Sequence, residues 1–150
     1  MGHTYVSVHL HVVFGTRERQ RIIGEDWRQR LHKYMAGVAR QEFGRAIAVG
    51  GTEDHVHGLL SVGTDLSIGE VMSKWKSLSS GWVHKTFPAA AGFGWQVGYG
   101  VFSVSQSNVD KVVRYIENQV EHHRRQTFQE ELAALLKRHG VAFDAAHFLD

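Results

Sequence analysis

The sequence predicts an α+β fold, a ferredoxin-like sandwich in which an antiparallel sheet carries helices on one face and further helices follow at the C-terminus. Three observations lead to this prediction. Segments of two-residue and of helical periodicity follow one another in the order strand, helix, strand, strand, helix, strand, helix, helix. Glycine-rich or polar segments separate them. The chain of 150 residues suffices for one core, so we expect a single domain over residues 1–150.

The first third of the chain predicts a strand, a basic loop and a helix. Residues 4–14 are rich in β-branched and aromatic side chains with partial alternation, which is typical of a strand. The segment 15–23 predicts a loop. Glu25 and Asp26 then open a helix whose apolar residues recur at helical spacing until Gly44, a common type of helix stop.

The middle of the chain predicts two strands and a long helix. Residues 45–50 and 55–62 have the composition of strands, and a glycine-rich turn joins them. Ser67 and Glu70 form a capping box, in which each side chain satisfies a free backbone N–H of the other residue. The helix that they begin has one broad apolar face and ends before Pro88.

The last third predicts one more strand and two helices. Residues 95–105 are strand-like, and a helix is expected over 108–123. Thr127 and Glu130 form a second capping box, which begins a final helix running to Gly140. Many unrelated functions share this kind of fold, so function must be sought in particular side chains.

The composition excludes several classes of protein. No apolar run reaches about 18 residues, so nothing predicts a membrane span. The chain has no cysteine, which excludes disulfides and thiolate metal sites and suits a reducing cytoplasm. Any metal must therefore bind histidine, carboxylate or amide groups, and the 11 histidines favour metal or proton chemistry.

Two histidines in a predicted strand form a candidate metal pair. His55 and His57 are separated by one residue, so both side chains lie on the same face of the strand and can converge on one ion. Alone this pattern is weak, because most such pairs are incidental. His9 and His11 have the same spacing and form a competing pair, although they are better read as strand residues beside the site.

A tyrosine and a glutamine in a predicted helix form the second part of the pattern. Tyr115 and Gln119 stand four residues apart, which places them on one face of the helix. They lie at the edge of an apolar stripe that includes Val113, Ile116 and Val120. Taken alone, a tyrosine at the boundary of the core beside a solvated glutamine is the simpler reading.

Together the two parts resemble the HUH-class single-tyrosine transposases of small insertion sequences. The resemblance covers nearly the whole chain. The matching segments are Val12-Val13-Phe14, Gly50-Gly51, Asp54-His55-Val56-His57, Lys76-Ser77-Leu78-Ser79-Ser80, Trp95-Gln96-Val97-Gly98-Tyr99, Phe102-Ser103-Val104-Ser105, Tyr115-Ile116-Glu117-Asn118-Gln119 and His122-His123.

The resemblance implies a role for each core residue. Tyr115 is expected to be the nucleophile, which cuts and rejoins single-stranded DNA through a 5′-phosphotyrosine. His55, His57 and Gln119 are expected to bind a divalent metal, Mg²⁺ or Mn²⁺, whereas the residues alone indicate only some divalent ion. Lys111 or His122 could help to deprotonate the tyrosine.

The resemblance also implies partners and a location. The expected substrate is a single-stranded DNA hairpin at the end of the element, in a bacterial or archaeal cytoplasm. A homodimer is expected, with the tyrosine helix exchanged between subunits, although whether the site forms within one subunit or between two is left open. Basic and aromatic residues that could grip a single strand are Arg17, Arg19, Arg21, Lys74, Lys76, Trp95, Tyr99 and Phe102.

Two other functions are compatible with the sequence. The first is a non-cleaving nucleic-acid-binding protein that descends from a transposase and retains only the binding. The second is a metal-dependent phosphodiesterase that uses water, in which Tyr115 is structural. Formation of a protein–DNA adduct distinguishes the transposase from both.

Overall fold

The computed structural model describes residues 2–149 and contains one four-stranded antiparallel sheet in the order β2-β3-β1-β4. This architecture confirms the predicted α+β class. The strands are β1 (His9–Gly15), β2 (Gly44–Gly51), β3 (His55–Val62) and β4 (Gly100–Val104); the helices are α1 (Arg28–Glu42), α2 (Ile68–Thr86), α3 (Val109–Glu117), α4 (Gln119–His122) and α5 (Phe128–Arg138), with short 3₁₀ turns at Arg17–Arg19, Pro88–Ala90 and Gln106–Asn108.

One face of the sheet is apolar and packs against α1 and α2. Successive residues of a strand point to opposite faces, so one alternate set of residues in β1 and β3 enters this core. Trp75 lies at its centre, fully buried, and its indole Nε1 donates a hydrogen bond to the carbonyl of Met35 at 2.8 Å. The strand residues of this face include Leu10, Val12, Phe14, Val56 and Leu60.

The other face carries histidines and is covered by α3 and α5. The register sets Val13 of β1 opposite His57 of β3. Gly50 in β2 lets α3 approach closely, because a Cβ there would stand 2.2 Å from the carbonyl oxygen of Ile116. The helices therefore pack directly over the histidines, and His55 and His57 are buried.

The N-terminal strand is shorter than predicted. Residues 4–8 lie outside β1, and Tyr5 in this segment is 89% exposed. The reason is the length of the neighbouring strand, because the pairing of β1 with β4 ends where His9 meets Val104. A strand-forming composition without a partner strand does not produce a strand.

The predicted helix 108–123 is broken at Asn118. That residue has φ −101° and ψ 24°, and it separates α3 from α4. Asparagine disfavours helix interiors because its side chain competes for backbone hydrogen bonds. The break reverses the expected pattern after it: Gln119 is buried, whereas Val120, predicted to join the apolar stripe, is 52% exposed.

Several other boundaries differ from prediction. The last strand covers only Gly100–Val104 rather than 95–105, because Trp95 makes no more than an isolated bridge with Thr16. The capping box predicted at Thr127 is present in full. At Ser67 the side chain accepts from the backbone of Glu70, but the reciprocal bond is replaced by a contact between the two side chains at 3.1 Å.

Candidate metal centre and tyrosine site

Four elements of the fold bring polar residues together on the histidine face of the sheet. Strand β3 supplies His55 and His57, both with 0% exposure. Helix α3 supplies Tyr115, and α4 begins with the buried Gln119. Helix α5 supplies Glu131, a carboxylate on an otherwise apolar helix face that packs onto the sheet. The site is therefore assembled from segments far apart in the sequence.

One oxygen of Glu131 meets three imidazoles. Its Oε1 lies 3.0 Å from Nε2 of His57, 3.3 Å from Nε2 of His55 and 2.9 Å from Nε2 of His123. A carboxylate with 1% exposure in such surroundings is strongly stabilised in its charged form. Although burial alone raises the pKa of Glu131, the hydrogen bonds from His123, His55 and His57 outweigh it and hold the pKa far below its usual range.

The other oxygen of Glu131 meets the tyrosine and the glutamine. The hydroxyl of Tyr115 donates a hydrogen bond to Oε2, and Nε2 of Gln119 donates to the same atom at 3.1 Å. Burial, followed by the negative charge of Glu131, raises the pKa of Tyr115 above its usual value. The phenol is consequently protonated at neutral pH in this arrangement. Glu131 thus connects the tyrosine with the histidine pair within one chain.

His55 is oriented by residues on the side away from Glu131. Its Nδ1 lies 2.8 Å from Oδ1 of Asp54 and 3.0 Å from Oγ1 of Thr52. Burial disfavours a charged imidazole, but hydrogen bonds to Asp54 and Glu131 outweigh it and raise the pKa of His55 to about 9. Phe128 stacks on the ring at 4.4 Å between centroids, which fixes the ring plane.

His57 has a different partner at Nδ1. Here the contact is Nε2 of His11, at 2.8 Å. Burial lowers the pKa of His57, and burial also lowers the pKa of His11 to about 3, so His11 stays neutral over the physiological range. The two histidines of the β3 pair therefore share Glu131 but have unlike second partners.

The donor atoms of this cluster suit a divalent metal. Ligand atoms of His55, His57, His123 and Glu131 all lie within 4.8 Å of one another. Donors around a four-coordinate ion with bonds of about 2.1 Å stand roughly 3.4 Å apart. The three nitrogen–oxygen distances of 2.9, 3.0 and 3.3 Å are close to that spacing. Three imidazoles and one carboxylate therefore form a group that could bind a metal ion.

The structure brings together the four site residues predicted from the sequence, His55, His57, Tyr115 and Gln119. It also adds two candidate ligands that were not predicted. Gln119 belongs to the neighbourhood, since its Oε1 lies 3.0 Å from Nε2 of His55. Glu131 and His123 were missed as candidate ligands. The sequence did hold a signal for Glu131, because it interrupts the apolar stripe formed by Phe128, Leu132 and Leu135. A charged residue inside such a stripe usually has a specific partner.

The second histidine pair, His9 and His11, is divided in the structure, since only His11 contacts the site. His11 joins the site through His57, as described above. His9 lies at the end of β1 opposite Val104, and its buried Nδ1 has no hydrogen-bond partner among the described residues. Neither belongs to the cluster of donor atoms found in residues 2–149.

A cleft opens beside the tyrosine on the side of α5. Its volume is about 220 Å³, and its walls include His11, Lys111, Tyr115 and Arg138. Within residues 2–149, the side chains of Lys111 and Arg138 take part in no hydrogen bond or ion pair. His122, the other predicted helper, faces the tyrosine ring at 5.1 Å between centroids. Two cationic side chains therefore line the cleft that Tyr115 also borders.

A second cleft contains four of the residues predicted to contact DNA. It is lined by Arg17, Lys76, Trp95 and Tyr99, and it has a volume of about 470 Å³. Lys76 is already engaged, because its ammonium donates to the carbonyls of residues 96, 97 and 98 at 2.5–3.0 Å. Burial lowers the pKa of Lys76. Arg17 and Tyr99 remain exposed on this surface.

The residues predicted to contact DNA differ in their exposure to solvent. Trp95 is 8% exposed and packs edge-on against Phe14, so it offers no ring face for a base to stack on. Phe102 is buried as well. The other members of the set are surface residues: Lys74 pairs with Glu42 at 3.5 Å, Arg19 donates to Gln129 at 3.1 Å, and Arg21 is exposed.

Comparison with known protein families assigns the chain to one of them. The model of the family described as "Transposase IS200 like" matches residues 4–119. The chain therefore belongs to the IS200-like transposase family, which confirms the resemblance seen in the sequence and supports a role in DNA transposition. No curated protein is similar enough to count as a match.

Solved structures share the fold. A protein of Deinococcus radiodurans R1, described only provisionally as a transposase, is 25% identical, with a TM-score of 0.64 over 79% of this chain and 96% of that one. A REP-associated tyrosine transposase solved with a REP hairpin is 18% identical, with a TM-score of 0.56 over 99% of this chain and 95% of that one. Among residues 2–149, no helix has the length and hydropathy needed to cross a membrane.

Proposed function

We propose that this chain is a transposase that cuts and rejoins single-stranded DNA, with Tyr115 as the nucleophile and a divalent metal as cofactor. The observation that supports this function is the contact of one carboxylate with both the histidine pair and the tyrosine. Glu131 binds the hydroxyl of Tyr115 through one oxygen and the histidine pair through the other. Residues 1–150 would act as one catalytic unit.

The candidate ligands are the residues around Oε1 of Glu131. His55 and His57 would bind the ion through Nε2, and the carboxylate or the amide oxygen of Gln119 would complete the set together with His123. A divalent ion at this position would offset the negative charge of a phosphodiester. The proposed ion is Mg²⁺ or Mn²⁺. Of the two, Mn²⁺ suits a set rich in imidazole better, because Mg²⁺ prefers oxygen ligands.

The residues of the chain account for the covalent step. The oxygen of Tyr115 forms a bond to phosphorus, the bond from phosphorus to the 3′-oxygen breaks, and the released 3′-oxygen takes up a proton. The proton of the phenol leaves to solvent through the adjoining cleft, while Oε2 of Glu131 accepts the hydrogen bond that orients the hydroxyl. The product is a 5′-phosphotyrosine, and attack by another 3′-hydroxyl reverses the step and joins new ends without an external energy source.

The proposed substrate is a single-stranded DNA hairpin from the ends of the element. The REP hairpin bound by one structural neighbour supports this class of substrate. Arg17 and Tyr99 in the larger cleft would contact the hairpin, and Lys111 and Arg138 would contact the strand beside the tyrosine. A homodimer remains a proposal. Exchange of the tyrosine helix is not required to complete the site, since Tyr115 meets the histidines of its own chain.

An adduct assay tests the proposal. The protein is mixed with Mn²⁺ or Mg²⁺ and an end-labelled hairpin from the flanks of its own gene, and the products are separated under denaturing conditions. We expect a labelled protein–DNA adduct that disappears in Tyr115→Phe, while DNA binding is retained. Tyr34→Phe is the matched control, because Tyr34 stacks on Trp82 instead and the adduct should persist.

Two results would contradict the proposal. Cleavage that yields free 5′-phosphate ends and no adduct would identify a phosphodiesterase that uses water. Hairpin binding that gives neither cleavage nor an adduct, with Tyr115→Phe indistinguishable from the unsubstituted protein, would identify a non-cleaving DNA-binding protein.

A further inference from the structure

We propose that His11 is a positioning residue, which fixes the tautomer and the ring orientation of His57 for metal binding. The proposal rests on the metal centre of the proposed function but concerns a residue outside the ligand set. It is based on a contact between two buried side chains. The proposal assigns a role to His11, for which the sequence alone did not distinguish a metal ligand from an ordinary strand residue.

The two nitrogens of His57 have one partner each. Nε2 faces the metal cluster, 3.0 Å from Oε1 of Glu131. Nδ1 lies 2.8 Å from Nε2 of His11. His11 is 4% exposed and His57 is 0% exposed, so water does not compete for this contact. The Nδ1 side of His57 therefore depends on His11.

The tautomer follows from the chemistry of imidazole. A nitrogen that binds a metal must offer its lone pair, so Nε2 of His57 carries no proton when it serves as a ligand. The neutral ring then carries its proton on Nδ1, which needs an acceptor. With its own proton on Nδ1, His11 offers the lone pair of Nε2, 2.8 Å away, as that acceptor. Metal-binding histidines usually donate their second N–H to a carboxylate, a carbonyl or water, and here a neutral imidazole has that place.

The sheet explains why His11 reaches this position. In the register of β1 with β3, Val13 stands opposite His57 and His11 stands opposite Leu59. His11 and His57 are consequently diagonal neighbours on one face, a spacing that long or aromatic side chains can bridge. The ring of His11 also meets that of Tyr115 edge-on, at 6.0 Å between centroids. One side chain therefore contacts both the candidate ligand and the candidate nucleophile.

The neighbouring ligand shows the same principle with another partner. Nδ1 of His55 lies 2.8 Å from a carboxylate oxygen of Asp54. Each histidine of the pair thus has its Nδ1 held by a side chain outside the ligand set. His11 does for His57 what Asp54 does for His55.

Metal affinity measured without DNA tests the role. Binding of Mn²⁺ to the purified full-length chain is followed by titration calorimetry for the unsubstituted protein, His11→Phe, His11→Gln and His9→Phe. Phenylalanine keeps an aromatic ring but removes the acceptor, so His11→Phe should weaken Mn²⁺ binding by about 10- to 100-fold. The amide of His11→Gln can accept a hydrogen bond and should restore much of the affinity. His9→Phe should bind as the unsubstituted protein does.

The outcomes separate a positioning role from a packing role. Urea denaturation in the presence of a chelator checks that each variant is folded. Unchanged Mn²⁺ affinity in a folded His11→Phe would overturn the proposal, as would equal losses in His11→Gln and His11→Phe, because the acceptor would then be irrelevant. If the unsubstituted protein bound no Mn²⁺, the metal centre itself would be refuted along with this role. Loss of affinity in His11→Phe with a metal-binding parent leaves the proposed function intact and supports the role of His11.

Discussion

The two faces of the sheet are built from alternate residues of the same strands, yet different forces hold them. On the face toward α1 and α2, residues such as Phe14 and Leu60 are buried among other apolar side chains. On the opposite face, the neighbouring positions carry His11, His55 and His57, whose ring nitrogens each need a partner. A single step along the strand separates a hydrophobic core from a charged network.

The comparison shows how differently the two faces depend on individual residues. Apolar burial is non-directional, so its contribution is roughly proportional to area and is spread over many contacts. A buried polar network depends on each partner, because a group left unpaired in a low dielectric costs far more than the bond it lost. On the histidine face that dependence converges on Glu131, which several partners share. Substitutions there should therefore behave unlike substitutions in the apolar core.

The largest effect is expected from Glu131→Gln. Removing the negative charge leaves the charged imidazole of His55 without its counter-charge at Oε1, and breaking a buried ion pair costs about 3–5 kcal/mol. The free energy of unfolding, measured with urea at pH 7.5 in the presence of a chelator, should fall by that amount. Glu121→Gln is the control, since Glu121 is 70% exposed and should give almost no change. Equal urea midpoints for Glu131→Gln and the unsubstituted protein would show that the network does not stabilise the fold.

A comparable loss of stability, without a loss of affinity for Mn²⁺, is expected from Leu60→Ala on the other face. Leu60 is fully buried, and truncating such a leucine costs about 2–5 kcal/mol because it leaves a cavity. The affinity for Mn²⁺ should be unchanged, since this side chain points away from the histidines. Leu78→Ala, at a position 38% exposed, should cost much less. A loss of Mn²⁺ affinity in folded Leu60→Ala would mean that the two faces are not independent.

The smallest effect concerns a histidine without a partner. Nε2 of His32 on α1 is buried with no hydrogen-bond partner among residues 2–149, and burial, followed by the nearby charges of Arg28 and His55, lowers its pKa from 6.5 to about 4. Glu25, Lys33 and Glu117 line the same cleft. Because the folded-state pKa lies below the unfolded value, the unfolded chain binds the proton first as the pH falls. The contribution of His32 is therefore complete above pH 6.5 and is lost between pH 6.5 and 4.

His32→Gln isolates this pH dependence. Between pH 7.5 and pH 4.5 the unsubstituted protein should lose about 2–3 kcal/mol more unfolding free energy than the variant, as expected for a shift of this size. Urea denaturation of both proteins at the two pH values provides the measurement. Parallel losses in the two proteins would show that His32 is not held neutral by burial. Such a result would weaken the contrast between histidines with and without partners.

Much of the fold could be predicted because periodicity is a local property. The two-residue period of β3 places His55 and His57 on one face whatever lies opposite them. The capping box at Thr127 is likewise set by neighbours in sequence, and it is present in the structure. The order of strands and helices can then be predicted, since the apolar periodicity of each segment indicates whether it is a strand or a helix.

The errors arose where the periodicity of the sequence did not decide the outcome. Residues 4–8 have the composition of a strand but lack a neighbour to pair with. The helix at 108–123 breaks at Asn118, which turns Gln119 inward and Val120 outward. Trp95 enters the core beside Phe14 instead of facing solvent. None of these outcomes depends on local periodicity.

By itself the sequence determined the family, the order of the elements and the presence of a histidine pair beside a tyrosine helix, because these depend on residue types at short spacings. Only the tertiary structure decided that Glu131 joins the pair, across 74 residues from His57, and that His11 supports it from the neighbouring strand. The physical reason is that a buried carboxylate is stable only among several donors. Those donors come from segments that meet only once the helices close over the sheet.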